Sequence, residues 1–281
     1  MRSWSQARQM IYVSQAARPP LDAFVENLWW LSDAPPHARE SILPGGTFEL
    51  VVNLHENEFR IYDSCDGAEA KHFSGAMVSG AYHRAFVIDT LEHASIVGVH
   101  FKPGGALPFI GALPGEVGST HIDLESVWGA HASELRERLA EATTPSRRFR
   151  ILERALLARL HRPFKRHVAV PVALVRIARG ERIGAVAADL GLSHRRLIEL
   201  FTAEVGMAPK LFGRVQRFQQ AIQAARTARA PDWAGVALAF GYSDQAHLVR
   251  DVVAFSGLAP TELSRRGRVP VKANHVAVPM P

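Results

Sequence analysis

Two short polar runs, Ser193-His-Arg-Arg and Asp244-Gln-Ala-His, each open a stretch in which apolar residues recur at helical spacing. A Ser193 cap turns Leu197 and Phe201 inward and leaves His194, Arg195, Arg196 and Glu199 on the outer face. An Asp244 cap leaves Gln245, Ala246, His247 and Arg250 outside in the same way. These side chains have the chemistry of base-edge recognition. Arginine bridges guanine O6 and N7, glutamine pairs in bidentate fashion with adenine, and a carboxylate such as Glu199 can only accept, for example from cytosine N4. Arg195 is the expected base reader, with phosphate neutralisation as its competing role, because phosphate and sugar take half or more of protein–DNA hydrogen bonds. Arg250 suits guanine or phosphate, and His247 either donates to phosphate or packs at a helix edge. Arg214, Arg217, Arg226 and Arg229 are expected beside the nucleic-acid backbone, against the alternative of simple solvation.

The elements that would hold these residues are written twice. Ile183, Val186, Ala187 and Leu190 repeat as Trp233, Val236, Ala237 and Phe240, both sets at i, i+3, i+4, i+7. Gly191 and Gly241 follow, then Ser193 and Asp244, and then Leu197, Phe201, Gly206 and Pro209 against Leu248, Val252, Gly257 and Pro260. Helix, glycine turn, capped helix, glycine stop and proline describe a helix-turn-helix, here in two copies. Between the copies Leu211, Val215, Phe218, Ile222 and Ala225 form one face of a helix from Pro209 to about Arg226. Some 18 residues at 1.5 Å each make a spacer of about 27 Å, near the roughly 34 Å between successive major-groove entries on one face of a duplex.

Charge separates along the chain as the motifs do. The 281 residues carry a net +6, but residues 1–144 hold 10 Lys+Arg against 18 Asp+Glu and residues 145–281 hold 23 against 9. Segregation of sign points to a polyanion partner for the second half only. Hydrophobic residues at 47% and charged residues at 21% place the chain among globular proteins. No apolar run reaches the ~18 residues of a membrane span, no leader is evident at the start, and the single Cys65 excludes an internal disulfide. A cytoplasmic location is expected.

The front half reads as short strands, Phe24–Leu31, Thr47–Leu54, Glu58–Tyr62, Ala85–Leu91 and Ser95–Phe101, separated by Pro35-Pro36, Pro44-Gly45-Gly46, Asp66-Gly67 and Pro103-Gly104-Gly105. Helices follow from Leu124. Thr144-Pro145 opens one to about Leu160, with Phe149, Leu152, Leu156 and Leu160 buried, and another runs from Pro171 to Gly180. The fold class is therefore α+β: a strand-rich antiparallel or barrel-like domain over residues 1–164, an all-α domain over 165–265, and a flexible basic tail over 266–281.

The second half resembles the AraC family of transcription regulators. The residues that carry the resemblance are Val186-Ala-Ala-Asp-Leu-Gly-Leu-Ser193, Gly206-Met-Ala-Pro209, Arg214 with Arg217, Ala239-Phe-Gly-Tyr-Ser-Asp-Gln-Ala-His-Leu-Val-Arg250 and Gly257-Leu-Ala-Pro260. The front half is similar to a poorly characterised domain found ahead of such DNA-binding domains, through Leu43–Val51, Gly98–Gly105 and Ile122–Gly129. The chain departs from the family at Glu199, where a basic or polar residue is usual, at Val252 and Val253, where Phe and Lys are frequent, and at Ala208, which lacks the usual capping hydroxyl. The resemblance implies double-stranded DNA as partner, with RNA polymerase, a small-molecule effector and a second copy of the chain as further candidates, and no cofactor.

Thirteen histidines invite the alternative of a metal-dependent barrel enzyme. The spacing opposes it: there is no His-Glu-x-x-His, no Gly-x-Ser-x-Gly and no phosphate-cradling glycine loop. No catalytic or metal residue is expected. A ligand pocket is the better use of the front half, with Trp29, Trp30, Phe48, Tyr82 and Phe101 as walls and Glu49, Asn53, His83 and His100 as polar anchors. A sensor or interaction protein that does not read DNA is the remaining alternative.

Overall fold

Short β-branched and aromatic runs of the front half build two antiparallel sheets in the computed structural model, which describes residues 11–32, 39–63, 69–89, 95–111, 117–160, 166–227, 231–266 and 275–278. The strands are β1 (Ile11–Ala16), β2 (Val25–Ser32), β3 (Arg39–Ile42), β4 (Glu49–Asn53), β5 (Glu58–Tyr62), β6 (Lys71–Ser74), β7 (Ala76–Ser79), β8 (Phe86–Asp89), β9 (Ser95–Phe101), β10 (His121–Asp123) and β11 (His275–Val278). One sheet has the order β1-β2-β9-β4-β7-β10 and the other β11-β3-β8-β5-β6. The pleat of β4 shows how they stack: Val51 packs between the sheets with Trp29, Leu31, Phe59, Met77 and Ile88, while Leu50 and Val52 turn to the opposite face and the helices. With both faces covered, β4 and β7 read as continuous apolar runs. Short strands without alternation, such as β7, escape detection by periodicity, as do β1, β3, β6 and β10.

Among the described residues four helices close the front half: α1 (Leu107–Ile110), α2 (Leu124–Trp128), α3 (His131–Glu141) and α4 (Pro145–Leu157). Thr144 caps α4, its hydroxyl accepting from the Arg147 amide at 3.3 Å, and Phe149, Leu152 and Leu156 are buried as the periodicity predicts. The next helix, α5 (Ala169–Ala178), starts two residues before Pro171, which the first turn tolerates because no backbone bond is lost there.

A single apolar core continues from the sheet into the second half. The turn Pro44-Gly45-Gly46 is seated on the long helix α8 (Pro209–Thr227): Gln219 donates to the Pro44 carbonyl at 2.6 Å and Gln216 to the Gly45 carbonyl at 3.0 Å. Gly118 lies so close to Gly206 that a Cβ on it would fall 1.9 Å from the Gly206 carbonyl oxygen.

The expectation of a flexible basic tail fails at His275–Val278. This segment returns to the front half as β11 and pairs antiparallel with β3, with His275 and Glu40 in a 2.6 Å ion pair and Val276 buried. The charges of the tail, Arg266, Arg268 and Lys272, all precede the strand, and a His-Val-Ala-Val run can complete a sheet edge. Cys65, Arg229 and the charged tail residues Arg268 and Lys272 lie outside the described residues.

Candidate nucleic-acid interface

The repeated pattern folds as two equivalent units. The first is α6 (Ile183–Asp189) and α7 (His194–Val205), the second α9 (Trp233–Ala239) and α10 (Gln245–Ser256), with α8 between them and α11 (Pro260–Arg266) last. Gly191 and Gly241 take φ of +66° and +71° with open space where a Cβ would stand, so backbone conformation rather than crowding selects glycine at both turns. Ser193 accepts from the Arg196 amide at 3.1 Å and Asp244 from the His247 amide at 2.6 Å. The latter bond holds the Asp244 carboxyl below its ordinary range. Leu197, Phe201, Leu248 and Val252 are fully buried. Each recognition helix is thereby fixed in rotation, and its first turn points outward.

His194, Arg195, Arg196 and Glu199 are all exposed on α7, with the Arg195 side chain 90% accessible. Glu199 lies on their side and is tied to them, 2.8 Å from Arg195 and 3.5 Å from Arg196. Its hydrogen bond from Arg195 lowers its pKa and raises that of the arginine. In the free chain the carboxylate thus occupies Arg195, an exposed pair that costs little to open. On α10, Gln245 and Arg250 are exposed, whereas His247 is half-buried. Its ring meets the edge of Tyr242 at 5.1 Å and its nitrogens lie 3.2 Å from Ser243 and 3.5 Å from Arg217.

Arg214 and Arg217 do not stand free beside this surface. Both reach Asp251, which is buried on α10: Arg214 at 2.6 Å and Arg217 at 3.4 Å. Arg217 also donates to the Gly241 carbonyl at 3.2 Å and lies over the Tyr242 ring at 4.3 Å. The two arginines therefore lock the linking helix to the second unit. Sequence reasoning overlooked Asp251, although a charge between Leu248 and Phe255 on an apolar face was the available signal. Arg226 is turned away altogether, half-buried against the front half and donating to the His275 carbonyl at 3.4 Å. It occupies the interface between the halves, not a nucleic-acid surface.

An open groove of about 1170 Å³ lies between the two units. Arg179, Arg182, Lys210, Arg214, Arg217 and Arg250 contribute to its lining, against Glu181 and Asp251. Sequence reasoning did not single out Arg179, Arg182 or Lys210, because exposed basic residues on helices carry no local signal that separates a binding surface from a solvated one.

In the front half, the structure gathers three of the nine ligand candidates, Trp29, Glu49 and His100. Glu49 and His100 are register partners 3.1 Å apart, and Trp29 lies against His100 with ring centroids 6.3 Å apart. Trp29, Glu49 and His275 border a void between the sheets of only about 50 Å³. Asn53 is fully buried in another role, accepting from the His55 and Glu56 amides and donating to the Glu58 carbonyl to close a turn. His83 is bound at 2.7 Å to Ser119 and does not border the void.

Residues 186–266 match the family model for a helix-turn-helix domain, and residues 14–123 match that of a domain of unknown function. No curated protein matches the chain. Among solved structures, one of ToxT from Vibrio cholerae is similar at 8% identity and a TM-score of 0.47, covering 90% of this chain and 98% of that one. Another, unsaturated fatty acid bound wild-type ToxT from Vibrio cholerae, is similar at 10% identity and a TM-score of 0.43, covering 93% and 97%. The helix-turn-helix match, written over two units, defines the class: a DNA-binding transcription regulator. The two units stand in one chain behind a strand-rich domain.

Proposed function

We propose that α7 and α10 read two adjacent stretches of the major groove, with Arg195 as the principal base reader of the first and Gln245 and Arg250 of the second. His194 and Arg196, with Arg179, Arg182 and Lys210 of the groove between the units, contact phosphate. Arg214 and Arg217 act mainly by holding α10 in register on α8 through Asp251, their outer faces remaining near the duplex backbone. His247 contributes by packing its helix edge. Glu199 restrains Arg195 until a base competes for it, or accepts from cytosine N4 itself. The observation that carries this reading is the equivalence of the two caps, which present unlike polar sets at equivalent outward positions.

The protein acts in the cytoplasm without catalysis. Its front half controls DNA affinity through a small-molecule effector or through pairing with a second copy, and RNA polymerase is a further partner. Selection of the full chain on a random duplex library at about 0.15 M salt tests the DNA assignment, because nonspecific attraction is partly screened there. The expected outcome is a two-block motif with centres about ten base pairs apart, and flattening of one block in Arg195→Ala. An unchanged motif in that variant removes Arg195 from base reading.

A further inference from the structure

The void around Trp29 and Glu49 is far below the ~300–1,000 Å³ of ordinary small-molecule sites. A groove of about 510 Å³ of suitable size lies elsewhere, among α1, α2, α3 and α4. Phe109, Trp128 and Leu135, all buried, contribute its apolar floor. Arg138 of α3, Arg154 of α4 and Arg159, just beyond the end of α4, line the groove around that floor. Arg159 lies 4.0 Å over the Trp128 ring, and it donates to the Trp128 carbonyl at 3.4 Å. Among the described residues Glu134 is the one carboxylate in the lining, and His131 already engages it at 3.0 Å.

Gathering like charges is unfavourable unless an anion neutralises them. Arg138 and Arg154 are both exposed and both line the groove. We infer that this groove is a binding site for a small organic anion with an apolar body, its charge held by Arg138 and Arg154 and its body laid on Phe109 and Leu135 beside the stacked Arg159. Guanidinium suits carboxylate, sulfonate or phosphate groups alike through paired N–H donors. The inference rests on the effector reading above and gives it a location. Helix α4, which supplies Arg154, is the last described helix before α5 and the first DNA-reading unit, so an anion bound there acts on the segment that joins the halves.

The test uses the full chain and two dyes of similar shape, the anionic 1-anilinonaphthalene-8-sulfonate and the neutral N-phenyl-1-naphthylamine. Arg138 and Arg154 are exposed, so the Arg138→Ala/Arg154→Ala variant should melt with the wild type. The expected result is saturable binding of the sulfonate to wild type, at least about tenfold weaker binding to the variant, and equal binding of the neutral dye. Absence of saturable binding to wild type, equal sulfonate affinities, or parallel loss of both dyes would each overturn the anion site. Operator binding, followed with and without saturating sulfonate, separates the two readings. An anion that binds through the arginines and leaves DNA affinity unchanged keeps the site and refutes its effector role.

Discussion

Replacing Asp251 by Asn leaves shape intact and removes the one charge that Arg214 and Arg217 share. The carboxylate side chain is 3% exposed, while the two arginines retain 39% and 26% of their exposure. Breaking a fully buried pair costs about 3–5 kcal/mol, but here solvent takes up much of the orphaned positive charge, which reduces the expected loss to about 2 kcal/mol. At roughly 2–4 °C per kcal/mol for a chain of this order, the melting temperature should fall by about 4–8 °C. A double-mutant cycle by urea denaturation isolates the interaction, with Arg214→Met as the second arm because it retains the stem that packs by Phe255. We expect a coupling of about 1–2 kcal/mol and a matching loss of operator affinity in Asp251→Asn as α10 loosens on α8. Additivity within about 0.5 kcal/mol would refute the lock, and the two arginines would then revert to simple phosphate ligands.

Ser193→Ala should cost about 1 kcal/mol, read as a lower urea midpoint at unchanged m-value. Gly118→Ala should cost about 1–3 kcal/mol, because its methyl would press into the Gly206 carbonyl; limited proteolysis should then cut the segment between the halves faster. His121 is buried among Phe73, Tyr82 and Phe86, and desolvation pushes its pKa down to about 3. The unfolded chain therefore binds the extra proton first as pH falls below the ordinary histidine range near 6.5, and this residue's share of stability, complete above that range, is lost progressively toward pH 3. His121→Phe should flatten that part of the pH–stability curve, and an unchanged slope would show that another group is responsible. Removing residues 267–281 strips β11 from β3 and should lower the melting temperature by several degrees, while a merely loose tail would leave it unchanged.

The double helix-turn-helix was legible in the sequence because it is local. Caps, glycine turns and i, i+3, i+4, i+7 stripes act within a few residues, so Ser193, Asp244, Gly191 and Gly241 announce their roles wherever the chain goes next. Outward placement of Arg195 and Gln245 follows from the same local rotation. The sheets were legible only in part, since strands covered on both faces, such as β7, lose the alternation that marks a half-exposed one. Contacts distant in sequence lay beyond any periodicity. Asp251 gathering Arg214 and Arg217, Arg226 turning from the groove to the His275 carbonyl, β11 returning across more than two hundred residues to β3, and Arg159 stacking over Trp128 were all decided by tertiary packing. Which helix faces which is settled by the fit of whole surfaces, and no short window of sequence contains both sides of that fit.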